Sequence, residues 1–410
     1  MTRKRAFLFL QGPCSLLFAR IADYLTAQGH DVYKINFNCG DSVYWQPRPA
    51  LPFRRSLDEL PEFLANVWTR YGITEQILFG DCRPVHRAAV ANAKNFGIRT
   101  YVFDGGYFRP HWITMEREGV NGHSLLPRDP AWFRKIGANL TPPSTIAFNP
   151  AFLDQAAYDI VYHVAGIANP LRYPNYKKHI TIPPALEYAC YIKRFSWLKL
   201  MQHQEQAKLD YLVKQQVPYY FLPLQLDTDA QILYHSNFAN MAEVIETVLQ
   251  SFASHAPSHT QLVIKNHPLD FGIVNFRKLI AQGTEALGLT GRIVYLESGH
   301  ISTLISYALG MVTVNSTSGA HALELNCPTI TLADPIYNMP GLTYQGGLDT
   351  FWTQAIAPDK ELFQAFRTTV MVTTQINGSL YCEFGTKLAA NNAARILQAE
   401  QSPLEKLLDV

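Results

Sequence analysis

Short apolar runs alternate with segments of helical periodicity over most of the chain. In the first hundred residues the apolar runs predict strands at 6–10, 32–37, 76–79 and 99–103. From residue 218 onward they predict strands at 218–222, 261–264, 292–296, 311–314 and 329–332. Because strands that alternate with helices form mainly parallel sheets, the pattern predicts an α/β fold with two Rossmann-like domains that face a cleft.

The alternation loosens between about residues 110 and 210, where prolines and aromatic residues are frequent. We therefore assign residues 1–210 to a first domain that carries an irregular insertion at about 110–210. Residues 211–380 form the predicted second domain, and residues 381–410 a closing helix. A chain of 410 residues is long enough for two such domains.

Composition and charge narrow the classes of function. The net charge of +2 at pH 7 argues against a dedicated nucleic-acid binder. Six scattered cysteines, without a Cys-x-x-Cys pair or a cysteine–histidine cluster at metal spacing, indicate reduced thiols. The basic start meets Gln11-Gly12-Pro13 too early for a signal peptide, and no stretch approaches the ~18 apolar residues of a membrane span. We expect a soluble cytoplasmic protein that at most rests on a membrane surface.

The turn Lys265-Asn266-His267-Pro268 follows a predicted buried strand directly. Open α/β sheets bind ligands at the carboxyl ends of their strands. A cation, an amide and an imidazole without a carboxylate suit a phosphate there, although an ordinary polar strand-to-helix turn has the same features.

A second turn, Asn315-Ser316-Thr317-Ser318-Gly319, lies between a predicted strand and a predicted helix. Backbone N–H groups at a helix start, aided by hydroxyls, hold phosphate without a metal, and a plain capping turn is the alternative. The two turns together favour nucleotide phosphate. The predicted nucleotide-binding residues are Lys265, Asn266, His267, Pro268, Ser316, Thr317, Ser318, Gly319 and Glu324.

Polar and glycine-rich turns also follow strands of the first domain. Parallel strands end at one edge of their sheet, so we expect these turns to line the cleft. The residues predicted to do so are Gly12, Pro13, Asp81, Gly105 and Gly106, with Gln225 from the second domain. The carboxylate of Asp104 could act as a base or a nucleophile, although an Asp-Gly turn without chemistry is equally common.

Other candidate residues carry weaker signals. Asp227-Thr228-Asp229 matches a metal-binding Asp-x-Asp pattern, but a match of three residues is weak evidence, and we expect no metal. Three isolated histidines are interpreted as structural: His86, His163 and His235.

Basic and aromatic residues are interleaved at 171–200. The segment contains Arg172, Lys177, Lys178, Lys193, Arg194 and Trp197, with Tyr173, Tyr176, Tyr191 and Phe195. This mixture suits anionic lipid or nucleic acid, and a solvated cover over the sheet is the alternative.

Taken in order, these stretches resemble the KpsS-type β-Kdo transferases of capsular polysaccharide biosynthesis. The resemblance runs through most of the chain. It rests on the motifs at 9–13 (FLQGP), 36–41 (NFNCGD), 103–106 (FDGG), 222–229 (LPLQLDTD), 265–268 (KNHP), 315–319 (NSTSG) and 333–337 (ADPIY).

The resemblance implies a GT-B-like fold that uses CMP-Kdo as donor substrate, without a cofactor or a metal. The first domain would hold the acceptor and the second the sugar nucleotide. His267 and Pro268 match the nucleotide-binding His-Pro motif, and the hydroxyl residues at 316–318 match the serine/threonine phosphate motif. Asp104 and Gly105 fall on an acid-acid-Gly motif in which Phe103 replaces the first acid. Catalytic roles for Asp104 and His267, and retention of the anomeric configuration, follow from the resemblance.

The resemblance also implies a phosphoglycerolipid acceptor, such as lyso-phosphatidylglycerol, on which Kdo starts the poly-Kdo linker of the capsule. The partners would be a CMP-sugar donor, this phospholipid and other capsule biosynthesis proteins, with no nucleic acid. The protein would be cytoplasmic and peripheral on the inner membrane. Two alternatives stay open: a transferase with another CMP-sugar donor such as sialic acid, and a non-catalytic component of capsule assembly or export.

Overall fold

The computed structural model describes residues 4–149, 152–177, 184–227, 229–270 and 272–408. The chain forms two compact units. Unit 1 consists of Met1–Pro127, Asn139–His179 and Arg367–Val410, and unit 2 of Arg128–Ala138 and Ile180–Phe366.

The strands, in chain order, are β1 (Ala6–Phe9), β2 (Asp31–Asn36), β3 (Leu51–Pro52), β4 (Glu75–Phe79), β5 (Arg99–Gly105), β6 (Trp112–Arg117), β7 (Tyr219–Pro223), β8 (Gln261–Lys265), β9 (Ile293–Leu296), β10 (Gly310–Thr313), β11 (Thr329–Thr331) and β12 (Gln375–Asn377).

The α-helices are α1 (Leu17–Ala27), α2 (Cys39–Trp45), α3 (Leu60–Arg70), α4 (Pro84–Ala93), α5 (Pro130–Gly137), α6 (Phe152–Gly166), α7 (Asn169–Arg172), α8 (Pro184–Lys214), α9 (Ala230–His235), α10 (Met241–His255), α11 (Phe276–Ala286), α12 (Ile301–Ser306), α13 (Thr317–Glu324), α14 (Leu348–Gln354), α15 (Lys360–Thr373), α16 (Glu383–Leu397) and α17 (Glu405–Leu408).

Unit 1 is built on a seven-stranded sheet of order β12-β6-β5-β4-β1-β2-β3. Its strands pair in parallel except at β6, which runs antiparallel to both β5 and β12. Successive residues of β1 point to opposite faces. Phe7 and Phe9 pack with α1 and α16 on one face, and Leu8 packs with α3 and α4 on the other. Both faces of the sheet are therefore covered by helices.

Unit 2 is built on a five-stranded parallel sheet of order β11-β10-β7-β8-β9. Leu222 in β7 belongs to the core cluster that includes α10 and α14. Phe221 belongs to the opposite cluster, which Leu209 and Leu212 of α8 complete. Since β7 lies between β8 and β10, its carboxyl end is where the chain order of the sheet reverses.

The α/β class and the two parallel sheets are confirmed. Each strand predicted from the apolar runs is present, with ends that differ by no more than two residues. The periodicity succeeds here because these strands are buried on both faces, which makes them continuous apolar runs.

The segment at 110–210 is more regular than predicted. It contains β6 and most of the 31-residue helix α8, whose apolar residues do not gather on one face. The predicted domain boundary near residue 210 falls inside α8. Leu209 and Leu212 of this helix pack into the core of unit 2. The end of the chain returns to unit 1, where β12 pairs with β6.

Candidate functional site

The carboxyl edge of the unit 2 sheet carries both predicted phosphate turns. The turn after β8 and the turn after β10 lie on either side of the end of β7, since these strands are its two neighbours. Gln225, just after β7, donates from Nε2 to Oδ1 of Asn315 at 3.1 Å. The backbone N–H of Asn315 returns a bond to Oε1 of Gln225 at 3.3 Å. Gln225 is buried, and it fixes the start of the β10 turn.

His267 is half-buried, and its ring orientation is set by backbone bonds. The N–H of Leu269 donates to Nδ1 of His267 at 3.1 Å. Because Nδ1 accepts, a neutral ring carries its proton on Nε2 and acts there as a donor. The N–H of His267 donates to Oδ1 of Asn266 at 2.8 Å, and the exposed Pro268 follows.

Asn266 and Lys265 bond to groups of unit 2, and their predicted contact with phosphate stays a prediction. The amide of Asn266 donates to Asp270 Oδ2 at 2.9 Å and to Glu297 Oε2 at 3.1 Å. Lys265 is buried, and its Nζ donates to the carbonyl of Asn266 at 3.2 Å. Burial lowers the pKa of Lys265. These two side chains hold the shape of the turn.

Glu297, which follows β9 and was not predicted from the sequence, contacts several residues beside the His267 turn. It is buried, and its carboxylate pairs with Arg194 at 3.0 Å and Arg277 at 3.3 Å. The N–H of Glu297 donates to Glu205 Oε2 on α8 at 2.7 Å. A buried carboxylate needs such partners, so α8 and the His267 turn are joined through Glu297.

The turn after β10 starts the eight-residue helix α13. Ser316 is its N-cap, with Oγ accepting from the N–H of Ser318 at 3.2 Å. The hydroxyl of Tyr337 donates to the carbonyl of Ser316 at 2.5 Å. A Cβ on Gly319 would overlap that hydroxyl, so only glycine fits. Thr317 and Ser318 are half-buried at the positive end of the helix dipole.

Glu324 is the last residue of α13, about 10 Å from its start at 1.5 Å per residue. Its carboxylate lies 3.4 Å from Nδ1 of His321. The structure therefore places Glu324 at the opposite end of the helix from Ser316, and its contact with a nucleotide stays a prediction.

In unit 1, Asp104 lies within β5 instead of at its end. It is half-buried and pairs with Thr114 in the antiparallel register with β6. Its Oδ1 accepts from the N–H of Gly105 at 2.7 Å. A Cβ on Gly106 would overlap the carbonyl oxygen of Trp112, and one on Gly105 would overlap the guanidinium of Arg109. The two glycines thus allow β6 and the Arg109 side chain to approach the backbone at 105–106 closely.

Asp81 is buried after β4 and bonds to His123, a contact that no sequence pattern predicts. Oδ2 of Asp81 accepts from Nδ1 of His123 at 2.9 Å, and Sγ of Cys82 lies 4.0 Å from the same nitrogen. Burial, and then the Asp81 carboxylate, raise the pKa of Cys82 to about 12. The three ligand atoms lie within 4.8 Å of one another and form a donor set that zinc accepts.

Gly12 and Pro13 lie over a buried polar network of unit 1. Nη1 of Arg83 donates to the carbonyl of Gly12 at 3.2 Å. Below the turn, a cavity of about 20 Å³ is lined by Gly12, Pro13, Lys34 and Asp41, with room for one water. Burial lowers the pKa of Lys34 to about 8.

The basic and aromatic segment at 171–200 is divided between the two units. Arg172 and Lys177 are exposed in unit 1, and Lys193 is exposed in unit 2. Lys178 and the side chain of Tyr191 lie outside the described residues.

Several members of this segment have partners within the protein, and their predicted role at a lipid surface stays a prediction. Arg194 pairs with Glu297, and Trp197 stacks with the guanidinium of Arg277 at 5.5 Å. Tyr173 is buried, and Tyr176 accepts from Gln11. Among the helices in the described part of the chain, none is both long and apolar enough to cross a membrane.

The chain was compared with known proteins. A family model described as capsule polysaccharide biosynthesis protein matches residues 75–381. Capsule polysaccharide export protein KpsS of Escherichia coli is 34% identical over 379 residues, which are 92% of this chain and 97% of that protein. Capsule polysaccharide modification protein LipB of Neisseria meningitidis serogroup B is 35% identical over 407 residues, with 95% of each protein covered. The solved structure of Thermosulfurimonas dismutans KpsC, a β-Kdo 2,7 transferase, matches with a TM-score of 0.45 and 14% identity, over 95% of this chain and 98% of that chain.

Proposed function

Because the chain belongs to the capsule polysaccharide biosynthesis family, we propose that it is a glycosyltransferase that moves Kdo from CMP-Kdo to a phosphoglycerolipid. The observation that carries the proposal is the pair of turns beside the end of β7, one with His267 and one with Ser316. The product would start the Kdo linker of a capsular polysaccharide.

The chemistry needs a stabilised leaving group. When the bond to Kdo breaks, the CMP phosphate gains negative charge. The Nε2–H of His267 and the start of α13, with the hydroxyls at 316–318, offer donors for that charge. A phosphate is a weak base, so the departing group requires no strong acid.

Asp104 is the proposed catalytic carboxylate of unit 1. In a retaining mechanism its oxygen would attack the anomeric carbon as CMP leaves, and the acceptor hydroxyl would then displace Asp104.

Nucleotide selectivity tests the proposal without the need for an acceptor. Calorimetric titration of the purified protein with CMP, UMP and AMP should give the tightest binding for CMP. Equal affinities would remove the CMP assignment, and no binding of any of the three would remove the transferase.

The names of the relatives support a second candidate function. One relative is called an export protein and the other a modification protein, so a non-catalytic component of capsule assembly or export is the rival. Release of CMP from CMP-Kdo in the presence of a lipid acceptor would exclude this rival. A transferase for CMP-sialic acid is the nearer rival, and parallel assays with both donors separate the two.

We infer that transfer requires no metal, because donors for the phosphate are already present. Asp81, Cys82 and His123 are the residues of unit 1 that could hold a metal. Activity that survives dialysis against a chelator supports the inference, whereas activity lost on chelation and restored by zinc would overturn it.

We also propose a cytoplasmic protein that attaches peripherally to the inner membrane. The exposed cations Arg172, Lys177 and Lys193 are each worth about 1 kcal/mol near an anionic surface. Co-sedimentation with anionic vesicles should weaken as salt rises. Binding that ignores salt and lipid charge would refute this attachment.

A further inference from the structure

A groove of about 570 Å³ lies in unit 1 beside β12. β12 ends the seven-stranded sheet, so one side of it pairs with no strand of the described chain. The volume falls within the roughly 300–1,000 Å³ that is typical of sites for small molecules.

The lining of the groove is mainly apolar. Its apolar side chains include Trp112, Ile146, Met371, Ile376, Leu388 and Ile396. Ile146 belongs to the segment that follows α5 and is half-exposed. Its backbone is held by Asn377, whose Oδ1 accepts from the N–H of Ile146 at 3.0 Å. An acyl chain would therefore meet apolar side chains fixed by a strand, a helix and a hydrogen-bonded segment.

The charged residues of the groove all have one sign. Arg395 and Lys406 line it and are exposed, and none of the described lining residues is Asp or Glu. Within the described residues, no carboxylate lies at ion-pair distance from either cation. The groove thus combines apolar walls with two cations that no described carboxylate pairs with, and this combination is complementary to an anionic amphiphile.

The groove lies close to the proposed catalytic acid. Gln375 lines it and donates from Nε2 to Oγ1 of Thr114 at 3.0 Å. Thr114 pairs with both Gln375 and Asp104 in the sheet. Asp104 is therefore two strands from Gln375, and the Cα atoms of these two residues are about 10 Å apart.

We propose that this groove binds the acyl chain of a single-chain anionic phospholipid, and that Arg395 and Lys406 attract its phosphate. The inference rests on the proposed function, since it assigns a place to the lipid acceptor. A neutral amphiphile would make only the apolar contacts. A free phosphate would interact only with the two cations.

Binding of lysophosphatidylglycerol below its micellar concentration tests the proposal, with lysophosphatidylcholine and glycerol 3-phosphate as comparisons. Wild type should bind lysophosphatidylglycerol at least tenfold more tightly than either comparison. Equal binding of the two lysolipids, or equal binding of glycerol 3-phosphate, would overturn the proposal.

Two variants locate the site. Arg395→Glu with Lys406→Glu should weaken lysophosphatidylglycerol at least tenfold and leave lysophosphatidylcholine within twofold. The control, Arg70→Glu with Lys94→Glu, changes the charge equally at exposed positions outside the groove and should bind as wild type does. Ser144→Trp, at an exposed lining position, should weaken both lysolipids at least fivefold, against Ser258→Trp as its control. Wild-type affinity in both groove variants would overturn the proposal.

CMP titration of the same variants separates this inference from the proposed function. CMP binding belongs to unit 2 and should be unchanged in each variant. If Kdo is transferred to lipid while the groove variants bind lysolipid normally, the groove is wrong and the transferase stands. If wild type binds no nucleotide but the lipid-binding results are as expected, the proposal for the groove is supported and the proposed transferase function is refuted.

Discussion

The backbone N–H of Leu269 donates to Nδ1 of His267 at 3.1 Å, and this bond fixes which nitrogen of the ring carries the proton. A neutral His267 can thereby offer a donor at Nε2 beside the end of β7 without becoming charged. The buried carboxylates of Asp270 and Glu297, which hold Asn266, keep the turn in this conformation. The account of nucleotide binding depends on this geometry.

His267→Ala should weaken CMP binding by about 1–3 kcal/mol, or roughly 5- to 150-fold, because one hydrogen bond to phosphate is lost. Titration calorimetry measures the change. The exposed His259 precedes β8 at the other end of that strand, so His259→Ala should bind CMP as wild type does. Equal loss in both variants, or loss in neither, would place the phosphate elsewhere.

Gly319→Ala should destabilise unit 2 by about 1–3 kcal/mol, because the added methyl group overlaps Tyr337, whose hydroxyl bonds to Ser316. Denaturant unfolding measures the cost. In a Tyr337→Phe background the ring is released from the Ser316 carbonyl and can shift, so the same substitution should cost less. An equal loss of unfolding free energy in the two backgrounds would show that the contact with Tyr337 is not the reason for glycine at position 319.

Asp104→Asn should abolish sugar transfer and leave CMP affinity within twofold, because the residue belongs to unit 1. The amide oxygen can still accept from the N–H of Gly105, so the fold should be preserved. Asp58→Asn, at an exposed acid of unit 1, provides the control and should retain full activity. An active Asp104→Asn enzyme would make the residue structural.

His86 should make stability fall in mild acid. It is fully buried, its Nδ1 donates to the Gly80 carbonyl at 2.6 Å, and its Nε2 is buried without a partner among the described atoms. Burial, and then the Arg83 charge, lower the pKa of His86 to about 3 from an ordinary 6.5.

As the pH falls, His86 therefore becomes protonated near pH 6.5 in the unfolded chain but only near pH 3 in the folded protein. The stabilisation is complete above pH 6.5 and is lost as the pH falls toward 3. Relative to His86→Leu, wild type should lose about 2 kcal/mol of unfolding free energy between pH 7.5 and pH 5. A difference between the two proteins that does not change with pH would contradict the assigned pKa.

The strands and the turns at their ends could be predicted because each is a local pattern. An apolar run followed by His267 or by Ser316 is visible within a few residues. The partners of those turns could not be predicted. Arg194 meets Glu297 across 103 residues of chain, and no local periodicity reports such a contact. The same limit applies to His123, which lies 42 residues after Asp81.

α8 was missed for a different reason. Its sequence mixes basic, aromatic and apolar residues around the helix, so it lacks the single apolar face that identifies most helices. The interleaved cations suggested one lipid-binding surface. The structure divides them, with Arg194 paired inside unit 2 and Lys177 exposed in unit 1.

The most direct test of the account is turnover of CMP-Kdo by the purified protein with lysophosphatidylglycerol as acceptor, followed by mass spectrometry of the lipid product. The account predicts a lipid that carries one added Kdo, release of an equal amount of CMP, and no product with Asp104→Asn. The account would be contradicted if wild-type protein that binds CMP formed no Kdo-lipid. Transfer of another sugar from its CMP donor, or of no sugar at all, would be that result.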